Sequence, residues 1–84
     1  MSYTLVYTKR AARDIRKLPL EIKQHLGKKL LQYAQNPLYY AKPLVNTDLG
    51  SYRFRIGDYR VIFDLENSDI VVLRVGHRKE IYRG

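Results

Sequence analysis

Tyr52-Arg53-Phe54-Arg55-Ile56-Gly57-Asp58-Tyr59-Arg60-Val61-Ile62-Phe63 is the stretch whose reading decides the fold. Tyr52, Phe54 and Ile56 alternate with Arg53 and Arg55, the period of a strand with one apolar face. Gly57-Asp58 fits a two-residue hairpin loop of the primed type, because glycine tolerates the positive φ that such turns need. That loop pairs Ile56 with Tyr59, Arg55 with Arg60, Phe54 with Val61 and Arg53 with Ile62. Cross-strand partners share a face, so Tyr52, Phe54, Ile56, Tyr59, Val61 and Phe63 form the core side. Arg53, Arg55 and Arg60 gather on the other. Like charges opposed across strands are destabilising, and an anion such as a nucleic-acid phosphate is the leading candidate to relieve them.

The 84 residues make one small domain, spanning 1–84, with a hydrophobic fraction of 45% that is ordinary for a globular fold. There is no cysteine, which excludes a disulfide framework and thiol chemistry. No apolar run approaches the roughly 20 residues of a membrane span, and the first residues do not follow a signal-peptide pattern. A cytoplasmic protein with no membrane partner is expected. The formal net charge is +8, from 16 Lys+Arg against 8 Asp+Glu, which favours nucleic acid or an acidic protein as partner. Residues 1–49 hold nine basic and three acidic side chains, so most of the excess lies outside the arginine hairpin.

Tyr3 to Thr8 is rich in β-branched and aromatic residues and predicts a first strand. Thr8 is a candidate N-cap for a helix to about Lys17, with Ala12, Ile15 and Leu18 toward the core. Pro19 opens a second helix, in which Ile22, Leu26, Leu30, Tyr33 and Ala34 form one stripe. Gly27 inside it costs about 1 kcal/mol relative to Ala and is read as a point of close packing against the first helix. Residues 38–50 show no period and are expected as a connection. Asn67-Ser68 turns into a last strand, Ile70 to Gly76, apolar on both sides and therefore central. A three-residue loop, Glu66 to Ser68, is preferred there. It pairs Arg60 with Arg74 and Val61 with Leu73, and keeps an unpaired arginine out of the core. Arg74 would then join the open arginine face. The expected architecture is α+β, two helices on one face of a four-stranded, mainly antiparallel sheet in the order β-α-α-β-β-β. The last strand lies between the first and the third.

The segment Gly76-His77-Arg78-Lys79-Glu80-Ile81-Tyr82 adds an imidazole, a guanidinium and a phenol, groups able to move protons and stabilise anionic charge. Together, GDYRVIF and VGHRKEIYR, preceded by a strand and two basic helices, resemble the RelE/ParE toxin superfamily. They look closer to the RelE-type mRNA interferases than to the ParE-type gyrase poisons. The resemblance covers essentially the whole chain in element order. It implies the toxin of a type II toxin–antitoxin pair, held inactive by a cognate antitoxin that is acidic or partly disordered and encoded nearby. It also implies a metal-independent, cofactor-free endoribonuclease acting on mRNA, commonly in the ribosome. The ribose 2′-OH would attack the neighbouring phosphate, leaving a 2′,3′-cyclic phosphate and a 5′-OH.

By position, the resemblance carries catalytic roles onto Arg53, Arg55, Arg60, Arg78 and Tyr82. Better-known RelE members have lysines at the positions of Arg53 and Arg55. Arginine stays protonated and cannot be a general base, so His77 becomes the candidate acid or base, beside Tyr82. Arg74, Lys28, Lys29 and Tyr39 are further candidates for contacting RNA, and His25 is read as a surface histidine. Two rivals remain open: a ParE-like gyrase inhibitor without nuclease chemistry, and a non-catalytic RNA-binding module on the same fold.

Overall fold

The computed structural model describes residues 3–45 and 47–82. The chain runs β1 (Thr4–Tyr7), α1 (Lys9–Arg16), α2 (Leu20–Tyr33), a single turn of helix α3 (Pro37–Tyr40), β2 (Lys42–Pro43), β3 (Tyr52–Ile56), β4 (Tyr59–Glu66) and β5 (Asp69–His77). The strands form one mixed sheet in the order β1-β5-β4-β3-β2. Only β1 and β5 run parallel. The last strand thus lies between the first and the long hairpin strand, as its two apolar faces imply.

The β3–β4 hairpin has the expected register at all five pairs, from Ile56↔Tyr59 to Tyr52↔Phe63. Gly57 takes φ +58° at the first turn position, the conformation that primed turns require there. Phe54, Ile56, Val61 and Phe63 are buried in the core with Leu26, Leu30 and Ala34 of the helical layer, and Tyr52 and Tyr59 pack at its edge. Phe54 stacks on Phe63 with ring centroids 4.3 Å apart and meets Tyr33 at 5.1 Å. Such pairs contribute about 0.5–1.5 kcal/mol each beyond the area they bury. Thr8 caps α1 as expected, its Oγ1 accepting from the Ala11 N–H at 3.1 Å. The fully buried side chain of α1 is Ala11, however, and Ala12 borders a cleft.

The β4–β5 connection differs from expectation. It is a two-residue turn, Asn67-Ser68, closed by Glu66↔Asp69, with Asn67 in the left-handed region at φ 57°. The odd residue sits inside the ladder. Phe63 pairs with Val72 but Ile62 with Arg74, so Leu73 is bulged out. Val75, not Leu73, lies opposite Val61, and Arg60 faces Gly76 in place of Arg74. A three-residue loop is not needed to keep an arginine out of the core, because the bulge sets Arg74 opposite Ile62 on the outer face, and Arg74 has a partner. Its Nε lies 2.9 Å from Asp14 Oδ2 on α1. The same oxygen accepts from the Val75 N–H at 3.0 Å.

That contact solves an edge problem. β1 pairs with β5 only as far as Tyr7↔Val72, after which the chain turns into α1. The exposed edge of β5 beyond Val72 is then served by Thr8, whose N–H donates to the Val72 carbonyl and whose Oγ1 donates to the Leu73 carbonyl, and by Asp14. Helix α1 continues the sheet edge through side chains.

The connection before β3 is not structureless. Tyr40 of α3 stacks on Tyr33 at 4.2 Å. Lys42 and Pro43 pair with Arg53 and Tyr52, giving a fifth strand where four were expected. The chain then folds across the sheet's outer face. A Cβ on Gly50 would lie 2.7 Å from Ile62 Cγ2 and 3.0 Å from Leu73 Cδ1, so glycine is needed for that approach. Asp64 holds the connection down by accepting from the Ser51 N–H at 2.8 Å. Gly27 has no such reason. A Cβ there would meet nothing within 4 Å, which corrects the expectation of close helix packing. The residue instead borders an apolar cleft of about 350 Å³ between α1 and α2.

Gly27→Ala therefore raises the unfolding free energy by about 1 kcal/mol, read as a higher urea midpoint at unchanged slope. Asp14→Ala has the opposite effect. It leaves the Arg74 guanidinium and the Val75 N–H without their acceptor and lowers stability by about 2 kcal/mol in the same assay.

Candidate functional site

Arg55 and Arg60 stand directly opposite each other across the hairpin, with Arg53 two residues along β3. Arg53, Arg55, Arg60, Arg78 and Tyr82 line one open cavity of about 400 Å³ at the uncovered end of the sheet's outer face. Pro43, Leu44 and Val45 complete its lining. Among the described residues, neither Arg53 nor Arg55 has an ion-pair partner.

Arg60 is the fixed member, only 8% exposed. Its Nη1 donates to the carbonyls of Gly57 at 3.0 Å and Tyr59 at 2.9 Å, so the turn that creates the repulsion also holds the guanidinium in place. Burial lowers the Arg60 pKa, and Arg55 pushes the same way. Arg53 and Arg78 add to the effect, against the opposing influence of Tyr82. An arginine remains protonated under that pressure. The result is a desolvated, pre-oriented cation whose repulsion an anion would relieve.

Arg78 reaches the cavity because the chain after β5 folds back onto the hairpin turn. Its N–H donates to the Asp58 carbonyl at 2.7 Å, and its Nε lies 3.7 Å from Asp58 Oδ1. Both side chains are more than half exposed, so the pair contributes less than about 1 kcal/mol and yields readily to a stronger anion. The His77 carbonyl accepts from the Glu80 and Ile81 N–H groups, each at 2.9 Å, tightening the turn. Ile81 is buried against Gly76, where a Cβ would lie 3.1 Å from Ile81 Cδ1. This anchor, absent from the sequence reading, leaves the next residue, Tyr82, 45% exposed beside the arginines.

Other expected site residues lie elsewhere. His77 pairs with Tyr59 and meets its ring edge-on at 5.5 Å. Tyr59 packs on the helix side, and His77 borders a separate cavity with Asp14, Lys17, Arg74 and Glu80. Its Nδ1 accepts from the Lys79 N–H at 3.1 Å. Alternation carried forward from Val75, a core residue, already assigns His77 to that face. Arg74 shares the outer face with Ile62, its partner in the ladder, but its guanidinium is engaged with Asp14 at the β5 edge and does not border the arginine cavity, so it does not join the other arginines as expected. Lys28 and Lys29 belong to α2, in the layer across the sheet. Tyr39, 76% exposed, stands on α3 with its ring edge-on to Tyr40 and does not border the cavity either.

Sequence reasoning missed Lys42, which faces Arg53 across the short β2–β3 pairing, and the apolar lining from Pro43 to Val45. The available hint was Pro43, a residue that sheets accept at their edges. Among the described residues, no helix is long and apolar enough to cross a membrane, and no group of three or more His, Asp or Glu side chains could hold a metal ion.

The profile of the ParE toxin family of type II toxin–antitoxin systems (parDE) matches residues 5–82. The chain is 37% identical over 86 residues to toxin RelG of Mycobacterium tuberculosis, covering 99% of each protein. Its structure is similar to the toxin–antitoxin complex RelBE2 of Mycobacterium tuberculosis, with a TM-score of 0.84 at 32% identity, over 93% of this chain and 100% of that one. It is also similar to a free-state mutant of Escherichia coli toxin RelE, with a TM-score of 0.78 at 26% identity, over 98% and 92% of the two chains. The arginine hairpin, the returning C-terminal turn and these likenesses agree: the chain belongs to the RelE/ParE superfamily, the toxins of type II toxin–antitoxin systems.

Proposed function

We propose that this toxin is a metal-independent endoribonuclease that cleaves mRNA on the ribosome and so blocks translation in the cytoplasm. The observation that carries the reading is the convergence of four guanidiniums and a phenol on one open cavity. In the proposed reaction the ribose 2′-oxygen forms a bond to the adjacent phosphorus as the P–O5′ bond breaks. The 2′-OH proton leaves to solvent water, since none of the cavity's lining side chains is a base, and the 5′-oxygen takes up a proton. Arg53 and Arg55 clamp the non-bridging oxygens, while Arg60, already desolvated and oriented, meets the charge that develops on them. Arg78 exchanges its weak Asp58 contact for the same charge. Tyr82 donates a proton to the leaving oxygen or stacks on a flanking base. No guanidinium can be the base, and His77 serves the fold of the C-terminal turn.

The partner in the resting state is a cognate antitoxin. Support comes from the Mycobacterium tuberculosis and Escherichia coli relatives described as toxin–antitoxin complexes. An acidic, partly disordered chain suits a surface of this charge. A second reading, gyrase inhibition without nuclease chemistry, is favoured by one observation, the match to the ParE family profile.

Mapping 5′ ends of mRNA in a reconstituted translation extract, with and without ribosomes, separates the two. Cuts that need ribosomes support the interferase. No cuts under either condition overturn it and send the search to gyrase or to plain RNA binding. Arg78→Ala lowers the cleavage rate by about 10²-fold or more, the effect of losing one charge-stabilising donor. His77→Gln, with an amide oxygen to accept from Lys79, cleaves within about twofold of the parent, because position 77 lies on the other face. A loss comparable to that of Arg78→Ala would return His77 to the chemistry. Tyr82→Phe decides between the two roles of the phenol. A loss of about 10²-fold marks a proton donor, and near-parental activity marks a stacking surface.

A further inference from the structure

One wall of the arginine cavity is not explained by phosphate. Pro43, Leu44 and Val45 border it beside Tyr82, and Val45 is 75% exposed. A lone exposed apolar residue needs no explanation. Three in a row beside four guanidiniums do, because a phosphodiester oxygen has nothing to gain from them. The wall is also held in place. Pro43 pairs with Tyr52 on the edge of β3, and the Leu44 N–H donates to the Ser51 carbonyl at 2.9 Å. That bond uses the donor at Leu44, and proline has none. The first two residues of the wall therefore offer no main-chain N–H to the edge of a base.

We infer that the wall formed by Leu44 and Val45 receives the face of a nucleobase next to the bound phosphate, and selects it by size and apolar contact. It rests on the RNA reading above and adds to it a specificity element outside the charged cluster. Bases offer an apolar π-face whatever their hydrogen-bonding edge, so a wall that meets that face through aliphatic side chains discriminates purine from pyrimidine more strongly than it discriminates within either class.

The probe is an uncleavable 2′-O-methyl RNA hexamer, compared with the same hexamer carrying two central abasic positions. Both present equal phosphates, so their electrostatic attraction is matched. Binding to the full chain is read by fluorescence anisotropy at one fixed salt concentration. The unsubstituted protein prefers the base-bearing hexamer by about tenfold, the scale of burying roughly 50 Å² of apolar surface. In the double variant Leu44→Ser, Val45→Ser the preference falls to about twofold, with a thermal melt confirming the fold. Arg55→Ala weakens both hexamers together and keeps the preference.

A preference that survives the double substitution overturns the proposal and moves the base to Tyr82 or another surface. Equal binding of both hexamers by the unsubstituted protein also overturns it, and leaves the wall to a covering protein partner. Cleavage of mRNA in the translation extract keeps the two readings apart: cuts without base preference remove the wall alone, whereas no cuts and no RNA binding remove both.

Discussion

A two-residue turn leaves a hairpin no freedom of register, and Gly57-Asp58 therefore forces Arg55 and Arg60 to face each other. The same turn limits the damage. Its Gly57 carbonyl and the neighbouring Tyr59 carbonyl accept from Arg60, so that guanidinium is desolvated without being left unsatisfied. The next residue of the turn, Asp58, receives both the N–H and the guanidinium of Arg78. One turn thus fixes three of the four cations relative to one another. The fourth, Arg53, follows from strand alternation. A longer or slipped loop would remove the opposed pair and the docking point for the C-terminal turn together.

The helical layer depends on a different contact. β1 is too short to cover β5, and the uncovered N–H of Val75 would otherwise be a buried donor in search of an acceptor. Asp14 supplies it while pairing with Arg74. This carboxylate positions α1 against the sheet edge, and it leaves Arg74 committed to the fold. Chemistry and architecture therefore use similar residues in different ways. An arginine with a partner on a neighbouring helix holds elements together. Arginines opposed to arginines, with main-chain carbonyls and one exposed carboxylate for company, form a site.

The hairpin was legible because everything that determines it is local: alternation, a glycine able to take positive φ, and a loop of fixed length. The helices were legible for the same reason, from the Thr8 cap and the apolar stripe of α2. Arg74 was not, because its partner lies 60 residues away and the extra residue that keeps it off the core face sits inside the ladder, not in the loop. The bulge at Leu73 leaves no mark in a strand that is apolar on both sides, where alternation cannot show an extra residue. β2 pairs through only two residues, too few for periodicity to register. The placement of His77 is a different case. Its face could be counted from Val75, but its chemistry and its nearness to Arg78 in sequence outweighed the count. Gly27 shows the converse error, a glycine credited with a packing role when the space beside it is empty.

Arginine at positions 53 and 55 changes what the site can do, not merely its strength. With four guanidiniums the cavity keeps its charge across the physiological pH range. Ligand attraction is then governed by ionic strength more than by protonation of the protein. Repulsion within the free cluster opposes folding, and any anion that enters relieves it, so binding and stability are linked through the same four side chains. A substrate phosphate and the acidic groups of a covering partner would relieve the same repulsion in the same place. On the proposed reading, neutralisation by an antitoxin need not distort the fold. Occupying the four cations is sufficient, because a site built from uncompensated charge is switched off by compensating it.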